Sequence, residues 1–241
     1  MAKSGTHSLV AIFQKYRAMH EPQHQEMLRA ILADDKGALS QDDKIAFLSS
    51  RDRQLRLELD VSQLNYFFLV ELVASFPDAR FILTIRDCYS WLDSFINHQL
   101  GREASDDWKQ LRDLRFYRDD NAYAAEERLL VEKGLYTLDG YFSYWATHNR
   151  NVLGLVLPER LLVIRLNELS QSLSALAQFV GVPVETLASS QAHVFPAQRR
   201  FGILQQLNRS FLESKANRHC GELMKAFFPD VGSLDNALAK A

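Results

Sequence analysis

The sequence predicts an α/β fold in which a central parallel sheet is covered by helices on both faces, in three layers. Three observations predict it. Phe81-Ile-Leu-Thr-Ile85 and Leu161-Leu-Val-Ile-Arg165 are unbroken apolar runs of strand length, as expected of parallel strands buried on both faces. Segments with helical apolar spacing separate the strands, which implies right-handed crossovers. The chain has 241 residues, 47% of them hydrophobic and 24% charged, enough for one sizeable core, so a single domain over 1–241 is expected.

The elements follow in order. Leu9, Ile12, Phe13 and Tyr16 recur at helical spacing, so a helix is expected over His7–His20. A second helix is expected over Gln23–Ala33, and a third from an N-cap at Ser40 through Phe47. Leu55-Arg-Leu-Glu-Leu-Asp60 alternates like a strand, and Asn65–Phe76 is apolar and helical. Strand 81–85 is followed by a helix over Tyr89–His98. Residues 101–133 are dense in charge but keep Trp108, Phe116 and Tyr117, which fits either a cap over a site or a solvated helical insert. A long helix is expected over Leu138–Leu155. Strand 161–165 then leads to a helix over Leu169–Val180, stopped by Gly181-Val-Pro183. The last helix is expected over Phe201–Phe227.

Charge and composition exclude several classes. With 28 basic and 30 acidic side chains the formal net charge is −2, so no general basic field points to nucleic acid, and an anion site has to be local. No stretch approaches the roughly 20 apolar residues of a membrane span, and residues 1–30 lack a secretory leader's pattern. Cys88 and Cys220 lack metal-ligand spacing and read as reduced thiols, which suits a cytoplasmic protein.

The chemistry begins at Lys3-Ser4-Gly5-Thr6-His7-Ser8. A loop of this kind at a helix start offers free backbone N–H groups to an anion. Gly5 allows close backbone approach, Lys3 adds a full charge, and Thr6 and Ser8 add hydroxyl donors. A surface turn that merely starts a helix is the competing reading. The fit to the Walker loop of ATPases is poor, because here lysine precedes the single glycine. Strand 81–85 ends in Arg86, with Ser94 on the following helix. A guanidinium and a hydroxyl at the carboxyl edge of a sheet suit a phosphate, and an arginine paired with Asp87 is the alternative.

Ala-Lys-Ser-Gly-Thr-His-Ser-Leu resembles the 5'-phosphosulfate loop of sulfotransferases that use 3'-phosphoadenosine 5'-phosphosulfate (PAPS). Ala2 stands where that loop usually has proline, and His7 where it has a second threonine. The segment Phe76–Asp87, running on to Ser94, resembles the same family's 3'-phosphate element, and Phe179-Val-Gly-Val-Pro183 resembles a later helix end. The resemblance implies a P-loop-like fold and transfer of a sulfuryl group to an acceptor hydroxyl or amine, with 3'-phosphoadenosine 5'-phosphate (PAP) as product and no metal. It implies that Lys3, Ser4, Gly5, Thr6, His7 and Ser8 hold the phosphosulfate and that Arg86 and Ser94 hold the 3'-phosphate. Arg199 and Arg200 are the candidates for a basic stretch closing over that phosphate. The family's general base follows its second strand, which nominates Asp60 first and Glu58 second, with His7, His98 and His148 as further candidates. The acceptor is a small molecule, a glycan or a lipid. Tyr141, Tyr144, Trp145 and His148 read first as core and second as an acceptor pocket.

Such a loop is expected between a first strand and a first helix, and only Met1 and Ala2 precede Lys3. The fold is therefore expected without its first strand, which upstream residues would supply. A P-loop kinase or NTPase, and a truncated PAP-binding protein without activity, are the alternatives.

Overall fold

A computed structural model describes residues 1–117, 122–189 and 200–239. The chain forms two compact units. The first holds Met1–Ile85 and Arg150–Pro196, the second Arg86–Asn149 and Ala197–Ala241.

In chain order the first unit opens with α1 (Thr6–Ile12), β1 (Ala18–His20), α2 (His24–Asp35) and α3 (Gln41–Leu55). It continues with β2 (Leu59–Val61), α4 (Leu69–Ser75) and β3 (Phe81–Ile85). The second unit takes over with α5 (Cys88–Leu100), α6 (Asp106–Phe116), α7 (Arg128–Glu132) and most of α8 (Leu138–Leu155). β4 (Leu161–Arg165) and α9 (Leu173–Val180) complete the first unit, and α10 (Ile203–Gln206), α11 (Arg209–Phe227) and α12 (Leu234–Ala239) the second.

Helices and strands thus mix as an α/β chain should. The strands pair as two two-stranded parallel sheets, β1–β2 and β3–β4, where the sequence reading expects one central sheet. β3 and β4 run in register from Phe81 opposite Leu161 to Ile85 opposite Arg165. α1 joins the two pairs: Leu9, Ile12 and Phe13 pack in one buried cluster with Val61, Ile164, Leu169 and Leu176. Arg160 anchors the approach to β4, its guanidinium donating to the carbonyls of Val73, Phe76 and Ala79 at 2.6–3.3 Å. Val73 lies in the last turn of α4, where carbonyls lack partners within the helix, and Phe76 and Ala79 lie in the turn that leads to β3.

Three expectations change. The first helix stops at Ile12 rather than His20, and Ala18–His20 is a strand. Tyr16 keeps its place against the α1 cluster from a turn, so its helical spacing misleads. The expected strand over 55–60 is cut to Leu59–Val61. α3, opened by a Ser40–Asp43 capping box, runs on to Leu55, and Arg56 ends it at φ 48°. β2 pairs only with the three residues of β1, which limits its length. The last expected helix breaks at Leu207-Asn208, where the Asn208 side chain accepts from the Phe211 N–H and caps α11.

The second unit is built on aromatic residues. Trp91, Phe116, Tyr141, Phe142 and Trp145 are fully buried, and the ring of Phe116 meets Phe95, Tyr136, Tyr141 and Tyr144 with centroids 4.7–5.3 Å apart. Tyr141, Trp145 and His148 are therefore core side chains. Burial holds the His148 imidazole well below the ordinary histidine pKa. The charge-dense segment contributes α6 and α7, and its Leu111, Phe116 and Leu130 are buried. Among the described residues no helix is long and apolar enough to cross a membrane.

Candidate functional site

The opening loop belongs to the first unit and is shaped by its own backbone. Lys3 has φ 60° and Gly5 φ 90°, while Ser4 between them is not in the left-handed region. Alternation of this kind turns successive N–H groups toward one concave side, a geometry that binds anions. Ser4 is fully buried and its hydroxyl donates to the Met1 carbonyl at 2.5 Å, closing the loop on itself. Gly5 is required by its φ of 90°, while a Cβ there would meet Leu166 Cδ1, a side-chain end that can move aside. Ser8 is buried one turn into α1.

Thr6 and His7 face a residue that the sequence reading does not nominate. Thr6 Oγ1 and His20 Nε2 are hydrogen-bonded at 3.0 Å, and the rings of His7 and His20 stack at 3.6 Å between centroids, 16° from parallel. Burial is the main force on His20 and lowers its pKa; Glu21 opposes that shift and His7 adds to it. The signal for His20 is the pairing of β1 with β2, which brings the end of β1 beside α1. Nothing in the run Ala18-Met19-His20 marks a strand.

The two carboxylates nominated as bases have other partners. Asp60 pairs with Met19 in register, whereas His20 pairs with Val61. Registered partners share a face and neighbours alternate, so Asp60 lies on the face opposite His20 and Val61. One Asp60 oxygen takes an ion pair from Arg51, whose guanidinium also donates to the Pro22 carbonyl at 3.0 Å. The other oxygen, Oδ1, is buried without a hydrogen-bond partner among the described residues. Glu58 is exposed, accepting from the Arg17 N–H at 2.9 Å and lying 3.8 Å from its guanidinium. Arg51 is only 6% exposed, so Asp60→Ala would strand a buried charge and should cost about 3 kcal/mol. A urea midpoint unchanged from the native chain would contradict that.

In the second unit Arg86 directly follows β3 and precedes α5. Its Nε donates to Ser90 Oγ at 2.9 Å, and its carbonyl accepts from Trp145 Nε1 at 3.0 Å. Asp87 caps α5, accepting from the Ser90 N–H at 2.9 Å and from the Ser90 hydroxyl. Ser90, one turn before the nominated Ser94, is thus the hydroxyl that positions the guanidinium. Ser94 is buried on the next turn.

Arg200 adds a second positive charge. Burial is the main cause of the lowered Arg86 pKa; Asp87 and Asp93 oppose that shift and Arg200 adds to it. Burial raises the Asp93 pKa, with Arg200 and Arg86 pulling the other way. Asn97 fixes this arrangement, donating to Asp93 at 2.9 Å and accepting from the Phe201 N–H at 2.8 Å. The charged neighbours of Arg86 are thus Asp87, Asp93 and Arg200, two carboxylates and a second guanidinium. Arg199, the companion candidate, lies outside the described residues.

Among the described residues no group of three or more His, Cys, Asp or Glu side chains could hold a metal ion. No curated protein matches the sequence. A family described as the sulfotransferase domain matches residues 1–199, a span that takes in the Lys3–Ser8 loop, β1, Arg86 and α5. Matched over most of its length, the chain belongs to the sulfotransferase family.

Proposed function

We propose that the chain transfers a sulfuryl group from PAPS to a hydroxyl or amine of a small-molecule, glycan or lipid acceptor, releasing PAP. The observation that carries this reading is the opening loop: alternating backbone dihedrals at Lys3, Ser4 and Gly5, with Gly5 at a φ of 90° that favours glycine. Such a loop suits the oxygens of a phosphosulfate, and the P-loop-like, three-layer fold of the family belongs to the same proposal. Lys3, the loop N–H groups, Thr6, His7 and Ser8 take the phosphosulfate end. Arg86, Ser94 and Arg200 take the 3'-phosphate, with Arg199 as a further candidate.

Sulfuryl transfer resembles phosphoryl transfer in needing in-line geometry and stabilisation of charge on the leaving phosphate. Lys3 supplies a positive charge there, and fixed N–H dipoles cost no reorganisation during the reaction. Residues 101–133 would cover the acceptor. Two buried free thiols, Cys88 and Cys220, fit a cytoplasmic setting. A carboxylate base, Asp60 or Glu58, competes with the partners those side chains already hold.

Thermal shift tests the donor assignment. PAP should raise the melting temperature, by an amount that grows with the logarithm of its concentration above Kd, and ATP with Mg²⁺ should not. A shift with ATP alone would move the reading to a P-loop kinase. Stabilisation by PAP without turnover of PAPS would point to a binding protein of the same fold.

A further inference from the structure

His20 lies against the opening loop, and a role for it rests on the PAPS reading and deepens it. Four residues of the β1–β2 pair share the face turned toward α1: Ala18, His20, Leu59 and Val61. Of these only His20 can titrate. It sits at the end of its strand, hydrogen-bonded through Nε2 to Thr6 Oγ1, the hydroxyl next to Gly5 in the donor loop. A hydroxyl oxygen therefore already occupies the position at Nε2 that an acceptor hydroxyl would need.

We infer that His20 is the general base of the reaction, its Nε2 taking the proton of the acceptor hydroxyl while Thr6 turns to the sulfonate. The acceptor oxygen forms a bond to sulfur. The bond from sulfur to the bridging oxygen breaks, and its electron pair leaves with the 5'-phosphate of PAP. The proton passes from the acceptor hydroxyl to Nε2 and later to water. The stack on His7 fixes the plane of the imidazole, and Thr6 fixes Nε2 as the nitrogen that faces the loop.

The surroundings keep the ring neutral. Burial and the neighbouring His7 disfavour the imidazolium, while Glu21 favours it, and the balance lies toward the neutral form. A neutral imidazole near pH 7 is what a proton acceptor requires. Asp60, on the opposite face and paired with Arg51, lacks that access.

The test measures PAP release from PAPS with water and a panel of simple alcohols and phenols as acceptors. It compares the native chain with His20→Gln, His20→Ala and Asp60→Asn, and follows PAP binding by thermal shift in parallel. His20→Gln should lower turnover by about 10²-fold or more while keeping the PAP-induced shift. The native rate should fall on the acid side with an inflection below the ordinary histidine value, and His20→Gln should lose that inflection. Imidazole in solution should restore part of the rate of His20→Ala. If His20→Gln keeps its rate within about threefold, or keeps the acid inflection, the assignment fails and the donor reading stands. A greater loss in Asp60→Asn than in His20→Gln would return the role to the carboxylate. If the native chain binds no PAP, the donor reading itself fails and the role of His20 with it.

Discussion

Lys3→Ala should lower turnover by about 10²–10³-fold while changing the affinity for PAP far less. In the proposed reaction the ammonium would interact most strongly with charge that develops on the leaving phosphate, so its loss would be felt in the transition state more than in the bound ground state. The substitution is a clean one for the backbone. Lys3 sits at φ 60°, and alanine carries the same Cβ, so the strain of that conformation is common to both chains. Arg86→Ala should behave in the opposite way. The ribose phosphate is remote from the reacting sulfur, so this change should raise the Michaelis constant for PAPS and weaken the PAP thermal shift with a smaller effect on kcat. If both substitutions altered only the Michaelis constant, Lys3 would be an anchor like Arg86.

A large effect on stability, comparable to that of Asp60→Ala, is expected from a glycine in the second unit. Gly140 lies in the first turns of α8, where a Cβ would overlap the Phe116 carbonyl oxygen and crowd Thr137 Oγ1 at 3.2 Å. Helix propensity alone would favour Gly140→Ala by about 1 kcal/mol. Packing reverses the sign, because the obstacle is main chain and cannot rotate away. The end of α6 would have to retreat, and Phe116 would drag the ring contacts of Phe95, Tyr136, Tyr141 and Tyr144 with it. A net loss of about 2–3 kcal/mol is expected from such overpacking, read as a lower urea midpoint and a changed near-ultraviolet circular dichroism spectrum. A more stable Gly140→Ala chain would show that α6 can give way without cost.

The elements best read from sequence were those whose own residues determine them. Strands 81–85 and 161–165 match the structure end to end, because each is a short run of mainly apolar, partly β-branched residues whose own preference is for a strand. Ser40 and Gly181 also behave as local chemistry requires, one as a capping-box residue and the other at φ 82°. β1 escapes such a reading. Ala18-Met19-His20 has no β-branched residue, and it becomes a strand because Leu59–Val61 lies alongside it. The same non-locality separates the parts of the candidate site. Lys3–Ser8 is contiguous and legible as a motif, and the spacing of Arg86 and Ser94 can be counted along the chain. The approach of His20 to Thr6, and the turning of Asp60 toward Arg51, depend on strand register, which no short stretch of sequence encodes. Ser90 was overlooked for a different reason: a serine one helical turn after an arginine is common, and only the geometry of Asp87 at the cap gives it a role.

The packing of α1 also governs the order in which the chain can become native. Leu9, Ile12 and Phe13 are held by Ile164, Leu169, Leu176 and Leu187, and the Ala188 N–H reaches the Ile12 carbonyl at 2.9 Å. All of these partners are synthesised long after α1 has left the ribosome. Contacts so distant in sequence must overcome loop-closure entropy before they contribute stability, which slows their formation. The Lys3–Ser8 loop, which leads into α1, is therefore made early, while its packing against β4 and α9 comes late. Until β4 and α9 emerge, Leu9, Ile12 and Phe13 have the early cover of β1 and β2 but not that of Ile164, Leu169 and Leu176, and they present apolar surface to other nascent chains. A chain stalled before β4 would keep the contacts of Ser4 with Met1 and of Thr6 with His20 but would lack Leu166 beside Gly5 and the apolar cover from β4 and α9.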